Sequence, residues 1–124
     1  MARTEIVTIT NMCMVYEGNK VLVQEKIDDD YCGITFPGGH VENKEPIVPS
    51  VIREIKEETG LDIINPKLAG IRDWYEEDAN ERTVSFLFVC ETFSGTLKEE
   101  TDEGKVEWVK LNELDNLQYA YGFK

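Results

Sequence analysis

The sequence predicts a mixed α+β domain. Many short runs rich in Val, Ile and Thr are separated by turn residues, which is the mark of strands. A single stretch, about residues 47–59, instead repeats its apolar residues with helical spacing. The chain has 124 residues, 41% of them apolar and 31% charged, which is enough for one hydrophobic core and too few for two. Several strands around one long helix is an α+β pattern, and residues 1–124 are expected to form one domain.

The elements follow in order. "TEIVTITNMCMVYEGNKVLVQEKI" reads as two strands joined at Glu17-Gly18-Asn19-Lys20, and "DDDYCG" as a polar loop. "ITFPGGHV" is a short extended piece broken at Pro37-Gly38-Gly39. Val48, Val51, Ile52 and Ile55 then give the i, i+3, i+4, i+7 stripe of a helix face turned to the core. Pro46 and Pro49 fit only its entry and first turn, and Gly60 is the left-handed stop. "LDIINPKLAGIRDWYEE" is extended, with Pro66 marking an edge or bend; "DAN" turns, and "RTVSFLFVCETF" is the strongest strand. "SGTLKEETDEGK" supplies a turn, a short strand and an acidic loop, and "VEWVKL" is a strand. "NELDNL" begins a short helix capped by Asn112, and "LQYAYGFK" offers no final amphipathic helix.

Composition excludes some partners. A net charge of −12 disfavours nucleic-acid polymers and anionic membranes, both of which need basic patches. No run of 18 apolar residues is present to span a bilayer, and "MARTEIVTIT" lacks the pattern of a signal peptide. Cys13, Cys32 and Cys90 are odd in number without metal-like spacing, as expected of reduced thiols in a cytoplasmic protein. Cys13 and Cys90 lie in apolar runs and are expected in the core.

One place breaks a local rule. Glu57 and Glu58 end the helix, where each carboxylate faces the negative end of the macrodipole at roughly 0.3–1 kcal/mol. Glu54 is one turn earlier, so three carboxylates crowd one flank. At about 100° per residue that flank lies beside the apolar stripe, at the border of core and surface. Hard oxygen donors gathered there suit Mg²⁺ or Mn²⁺, and a cation would turn both unfavourable terms into binding energy. A solvated acidic face is the plain alternative for the glutamate pair alone. Gly38-Gly39 ahead of the helix lets bare backbone approach a ligand, and Arg53 can grip a carboxylate through two nitrogens.

Gly39, Glu45 and the run Arg53-Glu54-Ile55-Lys56-Glu57-Glu58-Thr59-Gly60-Leu61 resemble the Nudix box, G-x5-E-x7-R-E-U-x-E-E-x-G-U, at all nine specified positions. A chance match at a given start is on the order of 10⁻⁸ to 10⁻⁹ from average residue usage. The order of elements is similar to that of small MutT-like Nudix hydrolases across the chain. The resemblance implies an α/β/α sandwich with a mixed sheet, its second helical layer in doubt here for want of a C-terminal helix. It also implies hydrolysis of a nucleoside diphosphate linked to another moiety, with Mg²⁺ or Mn²⁺ as cofactor. Residue by residue, it implies that Glu57 and Glu58 bind metal, that Glu54 binds metal or acts as base, and that the Gly38 carbonyl is a further ligand. Arg53 and Glu45 would support the loop and helix, together with the box glycines Gly39 and Gly60. Glu103, in the acidic loop before "EWV", is chosen as the additional ligand or base. His40, the lone histidine, adjoins the loop without a required role.

For the substrate, the resemblance is to the group that converts oxidised purine triphosphates such as 8-oxo-dGTP to monophosphate and pyrophosphate. Candidate base contacts are Asn11, Phe36 and either Phe86 or Phe88, since aromatics stack purines and an amide reads a base edge; core packing is the plainer expectation for Phe86 and Phe88. Gly39 would let the substrate approach. The ADP-ribose group favours a proline about fifteen residues after the box, and "WYEED" has none. The dinucleoside-polyphosphate group favours a tyrosine in that region, which keeps Tyr75 as a contact for the runner-up reading. A catalytically silent nucleotide-binding module is the reading from a different class. The expected partner is a small nucleotide, and the chain acts as monomer or homodimer.

Overall fold

The computed structural model describes residues 3–27, 32–101 and 104–116. The strands are β1 (Val7–Glu17), β2 (Lys20–Ile27), β3 (Cys32–Thr35), β4 (Gly38–His40), β5 (Leu61–Ile63), β6 (Lys67–Glu76), β7 (Glu81–Cys90), β8 (Phe93–Gly95), β9 (Glu100–Thr101) and β10 (Gly104–Lys110). The helix α1 (Ile47–Thr59) follows β4, and a 3₁₀ helix spans Leu111–Asn116.

The main sheet runs β6-β7-β1-β2-β10-β9, with β3 on β2 and β4 on β1; β5 and β8 form a separate ladder. The sheet is mixed because β1 and β7 pair in parallel while the other ladders are antiparallel. Among the described residues α1 is the one α-helix, so the helical layer described lies on one face of the sheet. Alternation along β1 turns Asn11, Cys13 and Val15 to that face, where Cys13 and Val15 pack with Val51 and Ile55 of α1, Leu22, Phe88, Cys90 and Val106. Gln24 shares this face with Leu22 and is fully buried, and no described group hydrogen-bonds its amide.

Several expectations are corrected. Val48 is 44% exposed, and Ile47, one residue earlier in the first turn, packs against the core in its place, ahead of Val51, Ile52 and Ile55. The loop expected at "DDDYCG" ends sooner, because Cys32 and Gly33 pair with Ile27 and Lys26 as part of β3. The last helix is 3₁₀ and starts at Leu111, whose N–H donates to the Asn19 carbonyl, so Asn112 lies inside it and does not cap it. The strand expected over "RTVSFLFVCETF" stops at Cys90, and Phe93, Ser94 and Gly95 form β8 because they pair with β5, in place of the turn expected at Ser94-Gly95. The bounds of α1 hold. Pro46 is the N-cap of α1 and Pro49 sits in its first turn, while Gly60 closes it at φ 83° with its N–H on the Lys56 carbonyl. Cys13 and Cys90 are buried free thiols, and burial pushes the Cys13 thiol up to about 12. The Cys32 side chain, residues 28–31 and the C-terminal segment 117–124 lie outside the described residues.

Candidate active site

The box is carried by three consecutive pieces, β4, the turn through residues 41–46, and α1. β4 is pinned to β1, with Gly39 opposite Asn11 and Gly38 opposite Met12. Close approach explains the two glycines. A Cβ on Gly38 would lie 2.2 Å from the Asn11 carbonyl oxygen, and one on Gly39 would lie 2.6 Å from Oε2 of Glu54. The Glu54 carboxylate therefore rests against bare backbone.

Arg53 is the hub. Its Nε donates to Oε2 of Glu45 at 2.7 Å and its Nη2 to Oε1 of Glu45 at 2.9 Å. Nη2 also reaches the His40 carbonyl at 3.2 Å. Nη1 donates to Oε1 of Glu54 at 3.0 Å and to Oε2 of Glu57 at 2.9 Å. Glu45 in turn accepts the Glu42 N–H at 3.0 Å, which closes the turn before the helix. The two hydrogen-bond donors hold the Glu45 carboxyl down at about 2, Arg53 more than Glu42, and the carboxylates of Glu45 and then Glu54 raise the Arg53 guanidinium above its ordinary value.

This arrangement revises the picture of a helix end crowded by three equivalent carboxylates. Glu57 is 56% exposed in its side chain, Glu54 12%, and Glu58 is fully buried. Helical geometry separates them. Taking Glu54 as origin, Glu58 is rotated about 40° towards Val51 and Ile55, and Glu57 about 60° the other way. Arg53 offsets the repulsion between Glu54 and Glu57 from within the same helix. Lys56 offsets part of the unfavourable dipole term, donating to the Gly60 carbonyl at 3.4 Å and to Asp62 at 3.0 Å.

The other expected residues are placed as follows. Asn11 is only 3% exposed, and its amide is used internally: Oδ1 accepts the Gly39 N–H at 3.1 Å and Nδ2 donates to Oγ of Ser50 at 2.9 Å. Phe86 is half-buried and packs against the core, in which Phe88 is buried. Phe36 is half-buried between β3 and β4. Tyr75 lies on the edge strand β6, exposed, with its hydroxyl donating to Oδ1 of Asn80 across the β6–β7 turn. β7 lies between β6 and β1, the strand to which the box loop is pinned. Glu103 lies outside the described residues. Sequence reasoning passed over Ser50, although it stands one turn before Glu54, on the same side of the helix.

Comparison with known proteins decides the family. The NUDIX domain model matches residues 8–123. The chain belongs to the Nudix family. It is 35% identical over 122 residues to the uncharacterised Nudix hydrolase YvcI of Bacillus subtilis, spanning 96% of this chain and 75% of that one. It is 32% identical over 109 residues to an ADP-ribose pyrophosphatase of Methanocaldococcus jannaschii, spanning 87% of this chain and 64% of that one. Among solved structures, a mutator MutT protein of Bacillus halodurans superposes with a TM-score of 0.80 at 32% identity, over 93% of this chain and 76% of the other. The protein is thus a Nudix hydrolase acting on nucleoside diphosphate derivatives, in a family that generally uses a divalent metal. Among the described residues no three carboxylates, histidines or cysteines are already gathered as a chelating cluster. The donors nonetheless fit a hard cation. Glu54 and Glu57 offer carboxylate oxygens within two hydrogen-bond lengths of each other through one Arg53 nitrogen, and the missing Cβ at Gly39 lets the Glu54 carboxylate lie directly against the loop backbone.

Proposed function

We propose that this Nudix hydrolase cleaves purine nucleoside triphosphates to the monophosphate and pyrophosphate, with oxidised forms such as 8-oxo-dGTP as the preferred substrates. The observation that carries the chemical part is the Arg53 hub, which ties Glu54 and Glu57 to the Gly38-Gly39 loop through Glu45 and the His40 carbonyl. The likeness to a MutT protein at 32% identity supports the choice of a triphosphate. Mg²⁺ or Mn²⁺ would be held by Glu54, Glu57, Glu58 and the Gly38 carbonyl, with Glu103 as a further ligand or base, and would neutralise the diphosphate and acidify a water. That neutralisation is needed, because a chain of net charge −12 repels a polyanion.

The protein's own groups account for the rest. Glu54, set against Gly39 and held by Nη1 of Arg53, is the carboxylate chosen to take the proton of the attacking water. The water oxygen bonds to phosphorus, the anhydride P–O bond breaks, and its oxygen leaves with pyrophosphate. No serine or cysteine nucleophile is needed, and burial keeps Cys13 protonated at neutral pH. Phe36 and Phe86 remain the proposed stacking contacts for the base.

A second reading, ADP-ribose as substrate, is favoured by the 32% identity to the Methanocaldococcus jannaschii enzyme. A dinucleoside polyphosphate is the weaker choice, because Tyr75 lies on the edge strand β6 with its hydroxyl engaged by Asn80. A cytoplasmic location and a single Nudix domain over residues 1–124 complete the proposal, with no polymer or membrane as partner.

The test is release of phosphate and pyrophosphate from a panel of 8-oxo-dGTP, the normal dNTPs, ADP-ribose and diadenosine polyphosphates, with Mg²⁺ and with Mn²⁺. A higher kcat/KM for 8-oxo-dGTP than for dGTP is the expected result. Preference for ADP-ribose would overturn the triphosphate reading and leave the hydrolase intact. Silence across the panel would favour a nucleotide-binding module.

A further inference from the structure

Asn11 has a use the reaction scheme above does not give it. It stands on β1 facing α1, in register with Gly39 of β4. Its carbonyl oxygen takes the Gly39 N–H at 3.1 Å, and its amide nitrogen gives to Oγ of Ser50 at 2.9 Å. Ser50 donates its hydroxyl hydrogen bond to the Ile47 carbonyl at 2.5 Å, in the first turn of α1. One buried side chain thus joins three pieces of backbone: the middle of β1, the loop that opens the box, and the start of the helix that carries its glutamates.

The geometry matters because Gly39 and Glu54 are in direct contact. The Gly39 N–H is tied to Asn11, and the open side of the same residue faces Oε2 of Glu54. Fixing Gly39 fixes how close the loop comes to that carboxylate. Arg53 ties the helix to the loop from the exposed side, through the His40 carbonyl and Glu45. Asn11 ties it from the buried side. α1 has no side-chain cap at Pro46, and the Asn11–Ser50–Ile47 chain adds a polar tie between its first turn and the sheet to the packing of Ile47 and Val51.

We propose that Asn11 is a positioning residue that sets the spacing between the Gly38-Gly39 loop and Glu54, and so the geometry in which the metal is bound, and that it does not contact the substrate base. The proposal rests on the metal reading given above. It accounts for an amide on the core face of a strand, between a glycine N–H and a serine hydroxyl, where neither of its polar atoms is turned to solvent.

The experiment uses the full chain with three variants, Asn11→Ala, Ser50→Ala and the double variant. Hydrogen exchange at the Gly39 amide is followed without metal, Mn²⁺ affinity is measured by titration without nucleotide, and kcat and KM are measured on the best substrate of the panel. In Asn11→Ala, Gly39 protection should be lost and the Mn²⁺ Kd should rise about 10-fold or more. kcat should fall with KM nearly unchanged. Ser50→Ala should keep Gly39 protected yet weaken Mn²⁺ severalfold, and the double variant should match Asn11→Ala within about a factor of two, since both residues act in one chain. An Asn11→Ala protein with wild-type Mn²⁺ affinity, or one whose KM rises while kcat holds, overturns the proposal and leaves the metal reading standing. If Asn11→Ala does not fold, wild-type Mn²⁺ affinity in Ser50→Ala overturns it equally. A wild-type chain that binds no Mn²⁺ without nucleotide overturns the preformed metal site and, with it, the proposal.

Discussion

Arg53 grips Glu45 through two nitrogens, Nε at 2.7 Å and Nη2 at 2.9 Å, across the whole entry turn of the helix. The contact has the fork geometry that a lysine cannot reproduce. Because the same guanidinium also holds Glu54 and Glu57, the Glu45 pair decides where the remaining nitrogen, Nη1, stands. Arg53→Lys and Glu45→Gln should each lower kcat about 10–100-fold, as losing an orienting partner does. The double variant should lose little more than the worse single one. Steady-state kinetics on the four proteins checks this, and full additivity would show that the two residues act separately.

The same pair sets an acid limit on stability. The Glu45 carboxyl is held at about 2 against an ordinary 4.5, first by the Arg53 hydrogen bond and then by the Glu42 N–H. The folded value lies below the unfolded one, so the unfolded chain binds the proton more readily. The contribution is complete above the unfolded value and is lost as pH falls from about 4.5 to about 2. Glu45→Gln should lose stability at neutral pH and show a shallower further loss below about pH 5. Urea midpoints measured at several values through that range test it, and parallel curves for the two proteins would contradict it.

The two glycines of the loop should separate stability from activity. At Gly38 an added Cβ meets main-chain atoms, the Asn11 carbonyl oxygen at 2.2 Å and the Met12 Cα at 2.7 Å, so two strands have to move apart. Gly38→Ala should lower stability by about 1–3 kcal/mol. At Gly39 the added Cβ meets the end of the Glu54 side chain, which can swing away. Gly39→Ala should keep most of its stability and lose about 10²-fold in kcat, the scale of an ångström of misplacement. Denaturation and kinetics on both variants decide, and the reverse pattern would place Glu54 outside the reaction.

How much of this the sequence showed depends on whether a signal was local. Turn residues and strand patterning located β1, β2, β6 and β7, and Pro46 and Gly60 bounded α1. The box spacing located Arg53, Glu54, Glu57 and Glu58 on one helix, but not that Glu58 would be buried and Glu57 exposed, which depends on where the sheet meets the helix. Asn11 read from the sequence as a base contact, and its place on the core face with Cys13 and Val15 emerged only from the burial along β1. Its partners were not legible either, because Gly39 and Ser50 reach it only through the β1–β4 pairing and the packing of α1.

Glu57 gives the sharpest test of the cation. Without metal it is an exposed carboxylate near the negative end of a helix, held by Nη1 of Arg53. Its replacement by Gln removes an unfavourable dipole term and a favourable ion pair together, so the metal-free melting temperature should move by only about 2 °C or less. With a cation present the same residue becomes a donor. Wild-type protein in Mg²⁺ at about a hundred times Kd should gain about 2.7 kcal/mol, which is a rise of several degrees. Glu57→Gln should show most of that rise abolished and turnover reduced below detection. Melting curves with and without Mg²⁺ separate the two effects. A variant that keeps the full metal-dependent rise would remove Glu57 from the donor set, whatever its activity. A wild-type chain with no rise at millimolar Mg²⁺ would mean that the donors are not preformed, and that the substrate phosphates must bring the cation with them.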